Sequence, residues 1–354
     1  MVLALVILLG FITVAFIEDA KEQILYDAQF HQQEDLRAEA YSALDITLAV
    51  LNLFQEIDGS IWGPSQGWGD PLDFAHYQPP GNLKVNVTVH DESGRFGLND
   101  AEFDFLRVAF TEMGFKVSDA EELSDSLIDW IDEDDLSRLN GFDGNDYERL
   151  NPPYLPANGP IQSWDELELI PAFKERFWDE DGRALPELDI FTANFSLYNS
   201  GPVNINAATP FVSRVLDELG IIEEDNLGDY LAGSDGEAGN DDDRLVRDPT
   251  AGGVFLDGAG SDLAGTESSL LEVAIEVSRG DAVFLLRSLV SWRGSNAAAG
   301  DSQAVAEETT EAARSDEETD KNRQARGTAK TEASGGAELG YPFQIHWLAE
   351  NRKN

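Results

Sequence analysis

Cysteine is absent from this 354-residue chain. No disulfide framework, thiolate metal site or cysteine nucleophile is open to it, and its domains must be held by ordinary apolar cores. Histidine is scarce: His31, His76, His90 and His346 are scattered and never recur at helical spacing, which argues against a zinc centre. Positive charge is scarce as well, with 24 Lys and Arg against 68 Asp and Glu, a formal net charge of -44. Such a surface repels phosphate backbones, which disfavours nucleic-acid binding, and it attracts divalent cations. Nucleophile-elbow, P-loop and Rossmann fingerprints are missing too. Carboxylates abound, so catalysis is not excluded, but nothing singles out a pair for hydrolysis.

What is present begins with an apolar run, Met1 to Ile17, followed by helix-compatible sequence without Pro or Gly to Ile57. One continuous helix of that length would extend roughly 80 Å. Its first part is suited to a bilayer, which about 17 to 25 apolar residues can cross. No basic residue precedes Lys21 and no small-residue cleavage signal ends the run. A retained anchor is therefore preferred to a cleaved signal peptide. Ile24, Leu25, Ala28, Leu36, Ala40, Leu44, Leu48, Leu51 and Phe54 fall near one broad stripe, suited to a sheet on one side and partner helices on the other.

Gly59 to Gly81 is a Gly/Pro/Trp-rich connection whose Trp62, Trp68, Phe74 and Tyr77 are expected to glue neighbouring elements together. Leu83, Val85, Val87 and Val89 then alternate with polar residues, the period of a half-buried strand. A repeat follows. Ser93-Gly94-Arg95-Phe96-Gly97-Leu98-Asn99-Asp100-Ala101 returns 107 residues later as Ser200-Gly201-Pro202-Val203-Asn204-Ile205-Asn206-Ala207-Ala208. In both copies the Asn is placed to cap a following helix, and Gly114 and Gly220 are placed to end one. Ile275 to Trp292 reads as one or two strands and Tyr341 to Leu348 as a last one. Asn296 to Gly340 is low in complexity and is expected to be disordered.

The predicted architecture is α+β: a long N-terminal helix packed on a small antiparallel sheet, with a large α-helical insertion. The chain divides into a transmembrane and stalk helix (1–58), a connection with the first strand (59–92), the insertion (93–274) and the remaining strands (275–354). The insertion is expected as two related subdomains, about 93–195 and 200–274.

Several spaced motifs carry a family resemblance. They are Asp129-Trp130-Ile131-Asp132, Asp146-Tyr147, Asn151-Pro152-Pro153-Tyr154, Ala157-Asn158, Trp164-Asp165-Glu166-Leu167, Val203-Asn204-Ile205-Asn206-Ala207 and Val277-Ser278-Arg279. In this order the chain resembles the K-type minor pseudopilin of the bacterial type II secretion system. The resemblance implies a pilin-type helix and sheet with an insertion similar to sterile-alpha-motif folds. It implies a structural subunit, not an enzyme, at the pseudopilus tip that nucleates assembly and supports protein export. The implied partners are the I- and J-type minor pseudopilins, other pseudopilins and the inner-membrane platform. The implied place is a single-pass inner-membrane protein, anchored through residues 1–17, with a periplasmic head. A basic leader is not seen, and no Glu lies near the start of the apolar run, as befits a topmost subunit.

Between Ser118 and Asp146 there are 11 acidic residues against a single basic one, Arg138. Crowded carboxylates are relieved by a hard cation, and calcium takes about 6 to 8 oxygens. Asp132, Asp134, Asp135, Asp143, Asn145 and Asp146 are the candidate ligands, in a loop that Gly141 and Gly144 allow to turn. The spacing is not that of an EF-hand. The competing reading is an acidic solvated loop. The resemblance adds weight to calcium, since relatives bind it. Asp235 to Asp243 and Asp179 to Gly182 are weaker acidic loops, read as surface. Asp129, beside Trp130, is expected to accept backbone or indole hydrogen bonds. Two other readings remain open: a membrane-anchored calcium-binding adaptor, and a helix-hairpin-helix nucleic-acid module, which the charge opposes.

Overall fold

The structure, a computed structural model, describes residues 2–134, 136–142, 144–236, 243–248, 254, 263–292 and 342–351. Helix α1 (Val2–Asp58) is a single run of 57 residues, and Gly59 at φ +82° stops it with its N–H on Gln55 O. Its side chains are described continuously only from Gln33. From there Leu36, Ala40, Leu44, Leu48 and Leu51 are buried, as the stripe predicts, and Ala43 and Thr47 join them. Steps of three and four residues keep these positions on one face. Thr47 is tolerated in that face because its hydroxyl donates to Ala43 O at 2.8 Å. Ile24, Leu25 and Ala28 lie outside the side chains described. Among the described residues no helix is long and apolar enough to cross a membrane.

The buried face of α1 rests on a four-stranded antiparallel sheet, ordered β1-β6-β7-β8. These strands are β1 (Lys84–Asp91), β6 (Leu270–Arg279), β7 (Ala282–Trp292) and β8 (Phe343–Glu350). Val273, Ile275, Val277, Phe284, Leu286 and Val290 face the helix in one core. Strands β6 and β7 form a hairpin whose turn uses Gly280 at φ +61°, so Ile275 to Trp292 is two strands. A bulge between Leu289 and Val290 reorients β8, where His346 meets Ser291 at 2.7 Å. The stalk is tied to this last strand by Arg37 and Tyr41, which both donate to Glu350 Oε1 at 2.8 and 2.7 Å.

Everything between β1 and β6 is inserted. Its elements are the strand pairs β2 (Phe96–Gly97) with β3 (Phe195–Ser196) and β4 (Val203–Asn204) with β5 (Ala264–Gly265). The helices are α3 (Phe103–Glu112), α4 (Val117–Ile131), α5 (Gly144–Glu148), α6 (Pro171–Phe177), α7 (Pro186–Asn194), α8 (Pro210–Glu218) and α9 (Glu224–Leu231), while α2 (Pro71–Phe74) sits in the connection. The two halves expected as related subdomains share one apolar core that runs from Phe96 to Ala264. Its densest part is aromatic. Phe110, Phe173, Phe177, Phe191 and Phe195 stack or meet edge to face, with centroids 4.4–5.8 Å apart.

The repeat is real in three dimensions, but its asparagines do something other than capping. Asn99 donates through Nδ2 to Ile161 O and Leu197 O, and its Oδ1 accepts Ile161 N–H. Asn206 donates to Val246 O and Thr266 O, and its Oδ1 accepts Val246 N–H. Each asparagine thus clamps a crossing segment and the strand beside it. The caps lie three residues on: Thr209 caps α8 with its side chain, whereas Glu102 before α3 makes no side-chain cap. The glycines do end the helices, Gly114 at φ +97° and Gly220 at φ +69°. In each copy the next N–H reaches back five residues, Phe115 to Phe110 O and Ile221 to Leu216 O.

Residues 296–340, expected as a disordered loop, lie outside the described residues, as does most of Asp235 to Asp243.

Candidate functional site

Two places concentrate buried charge. The first is the acidic loop after α4. Asp125 and Asp129 are one turn apart on that helix, and both are buried. The loop folds back over them. Arg138 N–H donates to Asp129 Oδ2 at 2.9 Å, and Asn140 donates to Asp125 Oδ2 through its backbone N–H at 3.1 Å and Nδ2 at 3.0 Å. Gly141 presses so close that a Cβ there would sit 1.8 Å from Asp129 Oδ2. On the other side Trp130 meets Tyr147 edge to face at 5.4 Å, and Tyr147 in turn meets Phe142 and Tyr154. Carboxylates below and aromatics beside therefore hold the loop's shape.

Burial pushes the Asp129 carboxyl up to about 6. The Arg138 backbone N–H pulls it down, Asp132 pushes it up, and the Arg138 guanidinium pulls it down from 3.8 Å. Asp132 is raised by burial and then by Asp134. Its Oδ1 is buried without a hydrogen-bond partner, and so is Asp129 Oδ1. The expectation that Asp129 accepts a backbone N–H holds. The Trp130 indole N–H, by contrast, finds no partner.

Of the predicted ligands, the structure describes Asp132, Asp134, Asn145 and Asp146. Asp134 Oδ1 accepts Leu136 N–H at 2.8 Å, and Asp146 Oδ1 pairs with Arg149 at 2.7 Å. Asn145 opens α5 with Asp146. Asp135 and Asp143 lie outside the described residues. Among the described residues no group of three His, Cys, Asp or Glu is gathered closely enough to hold a metal ion. The sequence count missed that Asp125, Asp129 and Asp134 accept backbone N–H groups and that Asp119, Glu122 and Asp146 pair with arginines.

The second place joins the sheet to the insertion. Asp91, at the end of β1, accepts Ser93 N–H at 2.9 Å, Asn204 Nδ2 at 2.8 Å and the hydroxyls of Ser93 and Ser268. Full burial raises its carboxyl, and these donors pull it back. Asn204 also donates to Trp62 O at 2.8 Å, which brings the connection into the joint. No sequence signal marked this cluster, because its members are separated by 113 and 177 residues. The aromatic connection behaves as glue: Trp68 is buried, Phe74 meets Phe54 at 5.0 Å, and Tyr77 donates to Glu39 at 2.8 Å.

Both places join elements of the fold: the loop to α4, and the sheet to the insertion. Residues 85–180 match the family described as "Type II secretion system (T2SS), protein K". The type II secretion system protein K of Aeromonas hydrophila is 31% identical over 118 residues, 33% of this chain and 34% of that protein. The chain thus spans about one third of the length of that curated relative. A chain in the crystal structure of the GspK-GspI-GspJ complex from enterotoxigenic Escherichia coli superposes with a TM-score of 0.52 at 16% identity. That superposition covers 75% of this chain and 94% of the other, and it shows likeness of fold.

Proposed function

We propose that this chain, a K-type relative among the minor pseudopilins, is a structural subunit of a type II secretion pseudopilus. The observation that carries the reading is the match over 85–180, which takes in β1 and the first part of the insertion that follows it, in a head whose sheet is backed by a long helix. In this reading the helix and sheet are the pilin part, residues 1–17 anchor the chain in the inner membrane, and the head lies in the periplasm. The inserted domain, similar to sterile-alpha-motif folds, broadens the head. A broad head leaves no room for another subunit above it, so the chain belongs at the tip and nucleates assembly with I- and J-type partners. That role needs no catalysis.

The test is co-purification of the full chain with its I- and J-type counterparts from the same membrane. A stoichiometric three-component complex is expected. Recovery of the chain alone, with and without calcium, would falsify the tip reading.

Calcium is proposed as a second feature of the acidic loop. The buried Asp132 Oδ1, which lacks a hydrogen-bond partner, supports it, since such an oxygen suits a hard cation. Calorimetric titration should show saturable calcium binding and a raised melting temperature, both lost in Asp143→Ala with Asp146→Ala. No heat and no shift would leave the loop as solvated surface.

A further inference from the structure

Helix α1 has a second apolar margin besides the face that rests on the sheet. Near its end Leu53 is 40% exposed and Ile57 69%, and Phe74 of the neighbouring α2 is 44% exposed. Geometry gathers them on one surface. Ile57 lies four residues from Leu53 and three from Phe54, so all three share one strip of the helix. The Phe54 ring in turn meets the Phe74 ring at 5.0 Å. Solitary exposed apolar residues need no explanation, but a contiguous group does. This group is also held in place. A Cβ on Gly67 would lie 3.5 Å from Phe54 Cζ, so that ring is wedged between Gly67 and Phe74. Helix α2 is fixed by Asp70, which accepts Asp73 N–H at 3.1 Å, and by its buried Pro71 and Leu72. A preorganised apolar surface binds at a lower entropic cost than a loose one.

Position and charge select the occupant. Because α1 is one continuous helix, Leu53 stands roughly 54 Å along its axis from Ile17, the end of the apolar run. That distance takes the surface away from any bilayer the run would enter. Between Arg37 and Lys84 the chain carries no Lys or Arg. Glu56 and Asp73, next to Ile57 and Phe74, are exposed, and so is Asp70. Arg247, a cation that reaches this end of α1, is 3.9 Å from Asp58. A second copy of a chain with net charge -44 brings the same sign and is repelled. A helix bearing apolar and cationic side chains matches the surface twice, since residues at steps of three and four form the ridge on which another helix packs.

We propose that Leu53, Ile57 and Phe74 form a docking surface for an apolar, basic helix of another protein. The chain lacks cysteine, so a nitroxide label can be placed at a single site. The test uses the full chain in a phosphatidylcholine nanodisc, labelled at Glu56→Cys beside the surface or at Glu218→Cys on α8, with an amphipathic helix of leucine and lysine as probe. Saturable slowing of the first label and none of the second is expected. The half-saturating concentration should rise about tenfold or more in Leu53→Ser with Ile57→Ser. The melting temperature of that variant should stay near that of the parent, because both side chains are exposed. Undiminished affinity in it overturns the proposal. Equal slowing at the two labels, or equal binding of a serine and lysine peptide, also overturns it, since charge alone would then suffice. A third outcome against it is broadening of the Glu56→Cys spectrum by lipid-dissolved oxygen with no response to peptide, which would make the surface a lipid contact.

Discussion

A buried carboxylate is costly unless its oxygens are met by donors, and Asp91 and Asp129 meet that demand to different degrees. Asp91 has donors on both oxygens, drawn from Ser93, Asn204 and Ser268. Asp91→Ala leaves several of these donors unpaired, and each buried unsatisfied group costs about 1–3 kcal/mol. A loss of roughly 2–4 kcal/mol is expected, read from the urea midpoint. Asp129 is satisfied on one oxygen only, and burial raises its carboxyl to about 6. An unfolded aspartate ionises near about pH 4, so between about pH 4 and 6 the folded chain holds a proton that the unfolded chain has released. Stability contributed by Asp129 is therefore lost as pH rises through that window. In EDTA, Asp129→Asn should flatten this part of the urea midpoint against pH curve, and an unchanged slope would place the titration elsewhere. Asp129 was legible in the sequence because Trp130 marks its helix position as buried. Asp91 was not, because hydrogen-bond partners so distant in the chain leave no local pattern.

At the scale of elements, the repeat shows what spacing can and cannot say. The 107-residue offset carries over to the structure: α3 and α8 begin at Phe103 and Pro210, and α4 and α9 at Val117 and Glu224. Glycine's role as a terminator was readable, because a left-handed residue after a helix is nearly always Gly. The role of Asn99 and Asn206 was not. An Asn shortly before a helix reads as a cap, and only the crossing segments at Ile161 and Val246 reveal a clamp. Because the two clamps make equivalent bonds, Asn99→Ala and Asn206→Ala should destabilise by similar amounts, roughly 2 kcal/mol each. An Asp at either site keeps the acceptor and loses both donors, so it should not rescue stability. Denaturation of the four variants checks this, and a neutral Asn206→Ala would show that the second copy is not clamped as the first is. Close approach adds a sharper test of how the halves join. A Cβ on Gly97 would lie 2.2 Å from Asn199 O, and one on Gly94 would lie 2.4 Å from Ala207 O. Either Gly→Ala change must push backbone apart, and a loss of at least about 2 kcal/mol is expected from the clash.

For the whole molecule the governing quantity is charge. The α+β plan was legible because α1, β1 and the late strands each carry their own period in the sequence, while the strand order β1-β6-β7-β8 depends on pairing across the insertion. The consequence of 68 acidic residues against 24 basic ones was only half legible. Composition predicts mutual repulsion, but it does not say how many carboxylates are neutralised locally. Some ion pairs, such as Arg183 with Asp181 and Lys174 with Glu168, are exposed on both sides, and exposed pairs contribute about 0–1 kcal/mol. Screening such pairs costs little stability, whereas screening the excess of like charge removes a general strain on the compact state. At physiological ionic strength the Debye length is already about 8 Å, and it shrinks to about 3 Å at 1 M. Sodium chloride raised from low concentration to about 1 M should therefore raise the melting temperature, with sodium perchlorate at equal ionic strength separating screening from salting-out. A melting temperature that falls with salt would mean that specific ion pairs, such as Arg176 with Glu122 and Arg287 with Glu272, outweigh the repulsion.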